Sequence, residues 1–378
     1  MVGVVEEPAR VDTHGFSAWL RVERDLAAPA DSPSNREPGS ERIHIAWEEL
    51  SSNRPVRFAN GSRIAVALVQ MPGYSLWLQR FPKADVLAVA ESGAAFLRDP
   101  DAATLDGLAR FLRVPPAERE ESPGVDALAA LVATGATPLA EAATKRFGEI
   151  GGLEAKLREP AAAELARALA SPSRPQALRL ALVQLAGARQ LSRLRPALES
   201  LAQGGPPLAG PAWSALAEID RGLPYETAKR LVASPDPAVR AVGVRFLVGT
   251  PDDAEVSRRA RADPAPEVRV AAVRALLAAR GADALEVGFA ALFDPVPSVR
   301  ADVAQEVGSF GSQVVPRLRE LAESHTGEEA GGPMAALAYA GPDGQEALTE
   351  LSRSHPDEPT RRLALLMLGK DPRAAITH

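Results

Sequence analysis

The sequence predicts a mainly α-helical protein, an α-solenoid of stacked helix pairs preceded by a small β-rich domain of barrel or sandwich type. The first observation is a phrase that returns: SPDPAVRAVGVRFL (Ser234 to Leu247), DPAPEVRVAAVRAL (Asp263 to Leu276) and DPVPSVRADVAQEV (Asp294 to Val307). Its arginines, Arg240, Arg269 and Arg300, fall 29 and 31 residues apart. A period near 30 built on helical phrases means units that bury their apolar faces only against their neighbours. The second observation is that almost every run with strand character lies in the first hundred residues. The third is composition: hydrophobic residues make up 46% of the chain but aromatics only 4%, so small aliphatic side chains must fill the core. Alanine and leucine, the chief candidates, are strong helix formers.

Residues 1–98 are assigned to the β-rich domain. Five runs favour strands: Gly15 to Arg24, Arg42 to Leu50, Arg63 to Met71, Tyr74 to Phe81 and Ala84 to Glu91. In the second, Ile43, Ile45 and Trp47 alternate with polar or small residues, the period of a half-buried strand. The third, RIAVALVQM, is apolar on both faces, which predicts a central strand or the wall of a closed barrel. Met71 to Tyr74 (MPGY) reads as a hairpin connection. Residues 27–40, rich in Pro, Ser and Ala, read as a flexible loop. Strand number and length suggest a five-stranded barrel or sandwich, similar in kind to OB or SH3-like folds.

Residues 99–378 are assigned to the helical array. Leu105, Leu108 and Leu112 share one stripe of a first helix, with Asp99 and Pro100 as its cap and first turn. Pro and Gly clusters mark the unit boundaries: PPAEREESPG near Pro115, SPSRP from Ser171, GGPPLAGP from Gly204 and ESHTGEEAGGP from Glu323. Within each phrase a proline after aspartate opens the helix, because its missing N–H costs nothing there, and the aspartate accepts a free N–H of the first turn. The arginine in the first turns can reach a carboxylate or carbonyl of the neighbouring unit, so Arg179, Arg240, Arg269, Arg300 and Arg361 are read as a structural ladder.

These units resemble HEAT repeats, in particular the short bacterial kind related to phycobilisome-lyase (PBS-lyase) HEAT-like repeats, whose hallmark is D-P-x-x-x-V-R-x-x-A-x-x-A-L. Weaker copies stand at SPSRPQALRLALVQL, around Arg179, and HPDEPTRRLALLML, around Arg361. Each lies 61 residues from the nearest strong copy, leaving room for one degenerate unit. GPAWSALAEI (Gly210 to Ile219) and GPMAALAYAG (Gly332 to Gly341) fill those rooms without the arginine. The resemblance covers roughly the last two-thirds of the chain and implies about eight units. It further implies a surface for macromolecular partners. HEAT-like hydroxylases hold iron with repeated His-Glu dipeptides, which this chain lacks.

Function is constrained mainly by exclusion. A formal charge of −6 and a pI near 5.6 argue against a nucleic-acid partner, since phosphate binding draws on Lys and Arg. The chain has no cysteine, so disulfides, thiolate catalysis and zinc fingers are excluded. No basic-then-apolar leader and no membrane-length apolar run is present, which leads to an expectation of the cytoplasm, or the periplasm for a processed form. Phosphate loops, dinucleotide fingerprints, nucleophile elbows and H-E-x-x-H pairs are all missing. The chain is therefore expected to be a non-enzymatic scaffold or adaptor, without cofactor, binding a protein partner. Tyr74, Trp77 and Arg80 are partner-binding candidates by residue type. His325 and His355, 30 residues apart in ESHTGEE and RSHPDEP, are the metal-ligand candidates, with Glu328, Glu329 and Asp357 near. A metal-dependent enzyme built on these histidines and a small-ligand module in the barrel are the alternatives; His14 and His44 are isolated, and Trp213 lies in a degenerate unit.

Overall fold

The computed structural model describes residues 1–11, 15–28, 41–48, 57–70, 86–89 and 96–369. The chain divides into two compact units, Met1–Leu198 and Glu199–His378. It is mainly α-helical, with a small β-rich part at the N-terminus.

The first unit begins with seven strands: β1 (Val2–Arg10), β2 (Gly15–Arg24), β3 (Arg42–Glu48), β4 (Arg63–Val66), β5 (Leu68–Gln70), β6 (Val86–Val89) and β7 (Phe96–Arg98). Their order in the sheet is β5-β6-β3-β2-β1-β4-β7. All pairings are antiparallel except β3 with β6, which is parallel. RIAVALVQM is not one strand: it breaks at the exposed Ala67. Its two halves, β4 and β5, are consecutive in the chain yet pair on opposite sides of the meander, β4 with β1 and β5 with β6. One bent segment thus contributes a strand to each side of the sheet and curves it toward a barrel, with β5 and β7 as its outer strands. The two apolar faces of this segment have separate destinations. Ile64 and Val66 enter the barrel core with Val5, Leu20, Ile45, Trp47 and Phe58, whereas Ala65 faces outward to pack with Leu97, Leu105 and Ala109.

Aromatic rings concentrate in the barrel core because a small domain needs bulk to bury enough surface. Trp47 stacks on Phe16 at 5.8 Å and meets the edge of Phe58 at 4.8 Å; Phe58 meets Phe96 at 5.2 Å. The strands β1 and β7 were not among the five expected from sequence. In β1 the buried Val2 and Val5 are followed by an exposed polar tail, and β7 is only three residues long. The expected strand Tyr74 to Phe81 lies outside the described residues, as does most of the loop 27–40.

Helices follow from α1 (Ala102–Leu112) onward. Its cap is Asp101, whose Oδ1 accepts the Thr104 N–H at 2.7 Å, rather than the expected Asp99. Asp99 still belongs to the sheet, donating its N–H to Arg63 O at 2.9 Å. The remaining helices of the first unit are α2 (Ser122–Thr134), α3 (Thr137–Glu149), α4 (Leu153–Lys156), α5 (Glu159–Ala170) and α6 (Gln176–Ala188).

The second unit contains α8 (Ala209–Asp220), after α7 (Arg195–Gln203), and then antiparallel pairs. These are α9 (Tyr225–Val232) with α10 (Pro237–Arg245), α11 (Asp253–Ala262) with α12 (Pro266–Arg280), and α13 (Leu285–Ala291) with α14 (Pro297–Gly308). They continue as α15 (Val315–Ser324) with α16 (Gly331–Tyr339) and α17 (Pro342–Ser354) with α18 (Glu358–Gly369). One continuous core of Val, Leu and Ala runs through them, including Val268, Leu276, Val299, Val307, Leu318 and Leu348. The phrase with one proline behaves as expected: Asp236 caps α10 and Pro237 opens it. In the phrases with two, the second proline opens the helix. Asp263 and Asp294 instead close a turn before it, accepting the N–H two residues on at 3.0 and 2.9 Å.

Candidate functional site

The helices α10, α12 and α14 carry the repeated phrase, and each has more apolar residues than one buried stripe requires. In α12, Val268, Ala272, Val273, Leu276 and Leu277 face the core. Ala271, Ala275 and Ala278, spaced i, i+4 and i+7, share another face and are not buried. That face is the floor of a groove of about 950 Å³ between α10, α12 and α14. Phe246 forms one apolar wall, and Arg245, Glu267, Arg274 and Asp302 stand around it. Arg274 bridges α12 to α14, donating from Nε to Glu306 Oε1 at 2.8 Å. Arg245 lies over the Phe246 ring at 5.7 Å. An alanine floor lets a guest backbone approach closely while the charged rim fixes its orientation. Sequence reasoning missed this surface. The available signal was the apolar surplus of PEVRVAAVRALLAAR beyond one stripe.

The arginine ladder lies at the turns. Arg240 donates to Asp263 of the following pair, from Nε to Oδ2 at 3.3 Å and from Nη2 to Oδ1 at 2.9 Å. Arg269 grips Asp294 in the same two-pronged way, both bonds at 2.7 Å. The third nitrogen, Nη1, holds the arginine's own turn: from Arg240 to Ser234 O and Pro235 O at 3.0 and 2.9 Å, from Arg269 to Asp263 O at 2.7 Å. Arg361 keeps that half of the pattern, donating to His355 O at 2.6 Å and Pro356 O at 3.0 Å. Arg179, in the first unit, donates from Nε to Leu169 O at 2.7 Å.

Burial raises the Asp263 carboxyl, but hydrogen bonds from Arg240, the Ala265 N–H and Arg259, together with the Arg240 charge, outweigh it and hold it below the ordinary carboxylate value. The bond to Asp294 raises the Arg269 guanidinium further above its ordinary value. A carboxyl whose folded value is depressed contributes stability that is complete above the unfolded value and is lost as pH falls through the folded one. The urea midpoint of Asp263→Asn should therefore lie well below that of the parent at about pH 7, with the gap closing only as pH falls below the ordinary aspartate value toward the lower folded one. A gap that stays constant over that range would exclude titration of Asp263 as its source.

The two candidate histidines have separate local roles. His325 Nδ1 bonds to Leu321 O at 2.8 Å, and its ring lies against Phe293 at 4.5 Å. His355 is buried, and its Nδ1 accepts the Asp357 N–H at 3.1 Å, as Asp263 and Asp294 do at their turns. Among the described residues no group of three or more His, Asp or Glu side chains is arranged to hold a metal ion. Tyr74, Trp77, Arg80 and His14 lie outside the described residues. Trp213 packs with Leu231, Val239 and Val242, with Arg230 over its ring at 5.7 Å. His44 stacks on Trp19 at 4.8 Å on the outer face of β2 and β3.

Paired helices with a recurring proline start and an arginine-aspartate contact between neighbours define a helical repeat protein. Residues 254–330 match the family model of HEAT repeats. A solved structure of human deoxyhypusine hydroxylase in complex with glycerol is similar, with 19% identity, 65% of this chain and 96% of that chain covered, and a TM-score of 0.32. No curated protein matches. The expectation that the chain is not an enzyme is corrected, since this neighbour is itself an enzyme. A likeness of that degree assigns no reaction to the chain. Among the described residues no helix is long and apolar enough to cross a membrane.

Proposed function

We propose that the chain is a protein-binding scaffold whose groove over α10, α12 and α14 receives a segment of a partner protein. The observation that supports this reading is the row Ala271, Ala275 and Ala278, left open between charged walls where a helix otherwise buries its apolar residues. Repeat arrays present such surfaces because each unit contributes one helix to a shared face. The partner segment presents bulky apolar side chains to the alanine floor and polar groups to Arg245, Glu267 and Asp302. Charge at that rim sets selectivity and encounter rate more than affinity.

The test places a photo-crosslinking phenylalanine analogue at position 275 and, as a control, at the exposed Glu320. One partner should be captured at 275 and not at 320. The double variant Ala275→Trp/Ala278→Trp, which fills the floor, should abolish pull-down of that partner while leaving the circular dichroism spectrum unchanged. Equal capture at both positions, or full binding by the filled variant, would refute the groove assignment.

A further inference from the structure

The ladder is interrupted at Arg300, and the interruption leaves a prepared carboxylate receptor empty of protein. Arg300 keeps the first half of the pattern, with Nη1 donating to Asp294 O at 2.9 Å and Pro295 O at 3.5 Å. Those bonds fix the guanidinium as they fix Arg240 and Arg269. The second half is missing: where Asp263 and Asp294 meet the arginine before them, the phrase 31 residues beyond Asp294 offers His325. No carboxylate pairs with Arg300 among the described residues, and its Nε is buried without a hydrogen-bond acceptor. A buried donor left without an acceptor is destabilising, the more so on a charged group.

Around this fork lies a cavity of about 370 Å³ lined by Phe293, Arg300, His325, Glu328 and Glu329 among others. It shares no lining residue with the groove over α10, α12 and α14. His325 does not replace the lost aspartate, since its Nδ1 is committed to Leu321 O and it brings no negative charge. Glu328 and Glu329 are exposed on the rim. Two carboxylates there repel a simple anion, so a ligand that reaches Arg300 must carry a cation of its own. The Phe293 ring, tilted against His325, supplies an apolar wall for the atoms between the two charges.

We propose that this cavity binds a zwitterionic ligand of amino-acid size, its carboxylate held by Nη2 of Arg300 and its cationic group by Glu328 and Glu329. Arg269 Nη2 makes the same contact to a carboxylate oxygen in the neighbouring rung, at 2.7 Å. A free basic amino acid and the C-terminal residue of a basic peptide share this chemistry.

Calorimetric titration of the full chain separates the sources with four probes: L-lysine, L-lysinamide, Ala-Ala-Lys and its C-terminal amide. L-lysine or Ala-Ala-Lys should bind with a millimolar Kd or tighter, and removing the carboxylate as the amide should weaken binding by about tenfold or more. Stronger binding of the free amino acid assigns the site to a small metabolite, and stronger binding of the tripeptide assigns it to a chain terminus. Arg300→Gln and Glu328→Gln/Glu329→Gln should each weaken the same probe by about tenfold, the second with unchanged melting because both glutamates are exposed. The proposal is overturned if no probe binds in the millimolar range, if the amides bind as well as the acids, or if acetate binds as well as lysine. It is equally overturned if the glutamate pair alone lowers the melting temperature and no probe binds, since the fork would then serve an internal carboxylate.

Discussion

Asp294→Ala should lower the stability of the second unit by about 3–5 kcal/mol, the cost of removing one partner from a buried ion pair. The side chains of Arg269 and Asp294 are 8% and 7% exposed, and every prong of the Arg269 guanidinium is committed. Taking away the carboxylate leaves a largely buried guanidinium with its Nε and Nη2 donors unpaired. Arg274→Ala provides the comparison, because its pair with Glu306 is 44% and 36% exposed and falls in the class worth about 0–1 kcal/mol. Urea unfolding followed by circular dichroism should show a large shift of midpoint for the first and almost none for the second. Equal shifts would mean that the rung is no more than a surface contact. A joint replacement, Arg269→Met with Asp294→Leu, should recover much of the loss, since apolar substitutes of similar volume often match a buried pair.

Gly332→Ala is the second change with a large expected effect. Gly332 lies at the start of α16, where a Cβ would stand 2.0 Å from Leu292 O and 2.9 Å from Leu292 C. The obstacle is backbone, so α16 must move away from the end of α13, at a cost of about 1–3 kcal/mol or more. Gly331, one residue earlier, meets only a Leu363 methyl at 3.7 Å. Alanine there adds helix propensity, up to about 1 kcal/mol, and should leave the melting temperature unchanged or higher. Adjacent glycines with opposite responses would show that helix approach, not chain flexibility, selects glycine at 332. Parallel melting losses in both variants would contradict this.

That pair of residues also shows where sequence reading stopped. The sequence places Gly332 and Pro333 both in the boundary cluster ESHTGEEAGGP and at the head of a degenerate unit, and Gly331, Gly332 and Pro333 are helical. In the other degenerate unit Gly210 and Pro211 are helical too, and a Cβ on Gly210 would lie 2.7 Å from the Ala238 Cβ. Local composition cannot separate a glycine that ends a helix from one that lets two helices touch, because only the neighbour's position decides. The repeat period and the helix starts were legible, since Asp-Pro and the recurring arginine are local signals. The acceptors at Asp263 and Asp294 were not paired with their arginines from sequence: each lies in the next phrase, 23 and 25 residues away. The strand pattern RIAVALVQM revealed two apolar faces, but the bend at Ala67 depends on β1 and β6 drawing its halves to different partners. The alanine floor was hidden for another reason, because alanine suits a buried and an open helix face equally well.

The ladder has a direction. Arg240 and Arg269 each hold their own turn with one nitrogen and reach forward with the other two. An aspartate that loses the unit before it still has its own turn: Asp263 retains the Ala265 N–H and Arg259 without any help from Arg240. An arginine that loses the unit after it keeps the carbonyls of its own turn but no paired carboxylate. The two sides of these rungs are therefore not equivalent as places to break them: losing the following unit takes the paired carboxylate from Arg240 or Arg269, while losing the preceding unit leaves Asp263 still bonded. A segment of this kind resists being opened from its tail and yields more readily from its head, a mechanical polarity written in which side of each turn carries the guanidinium.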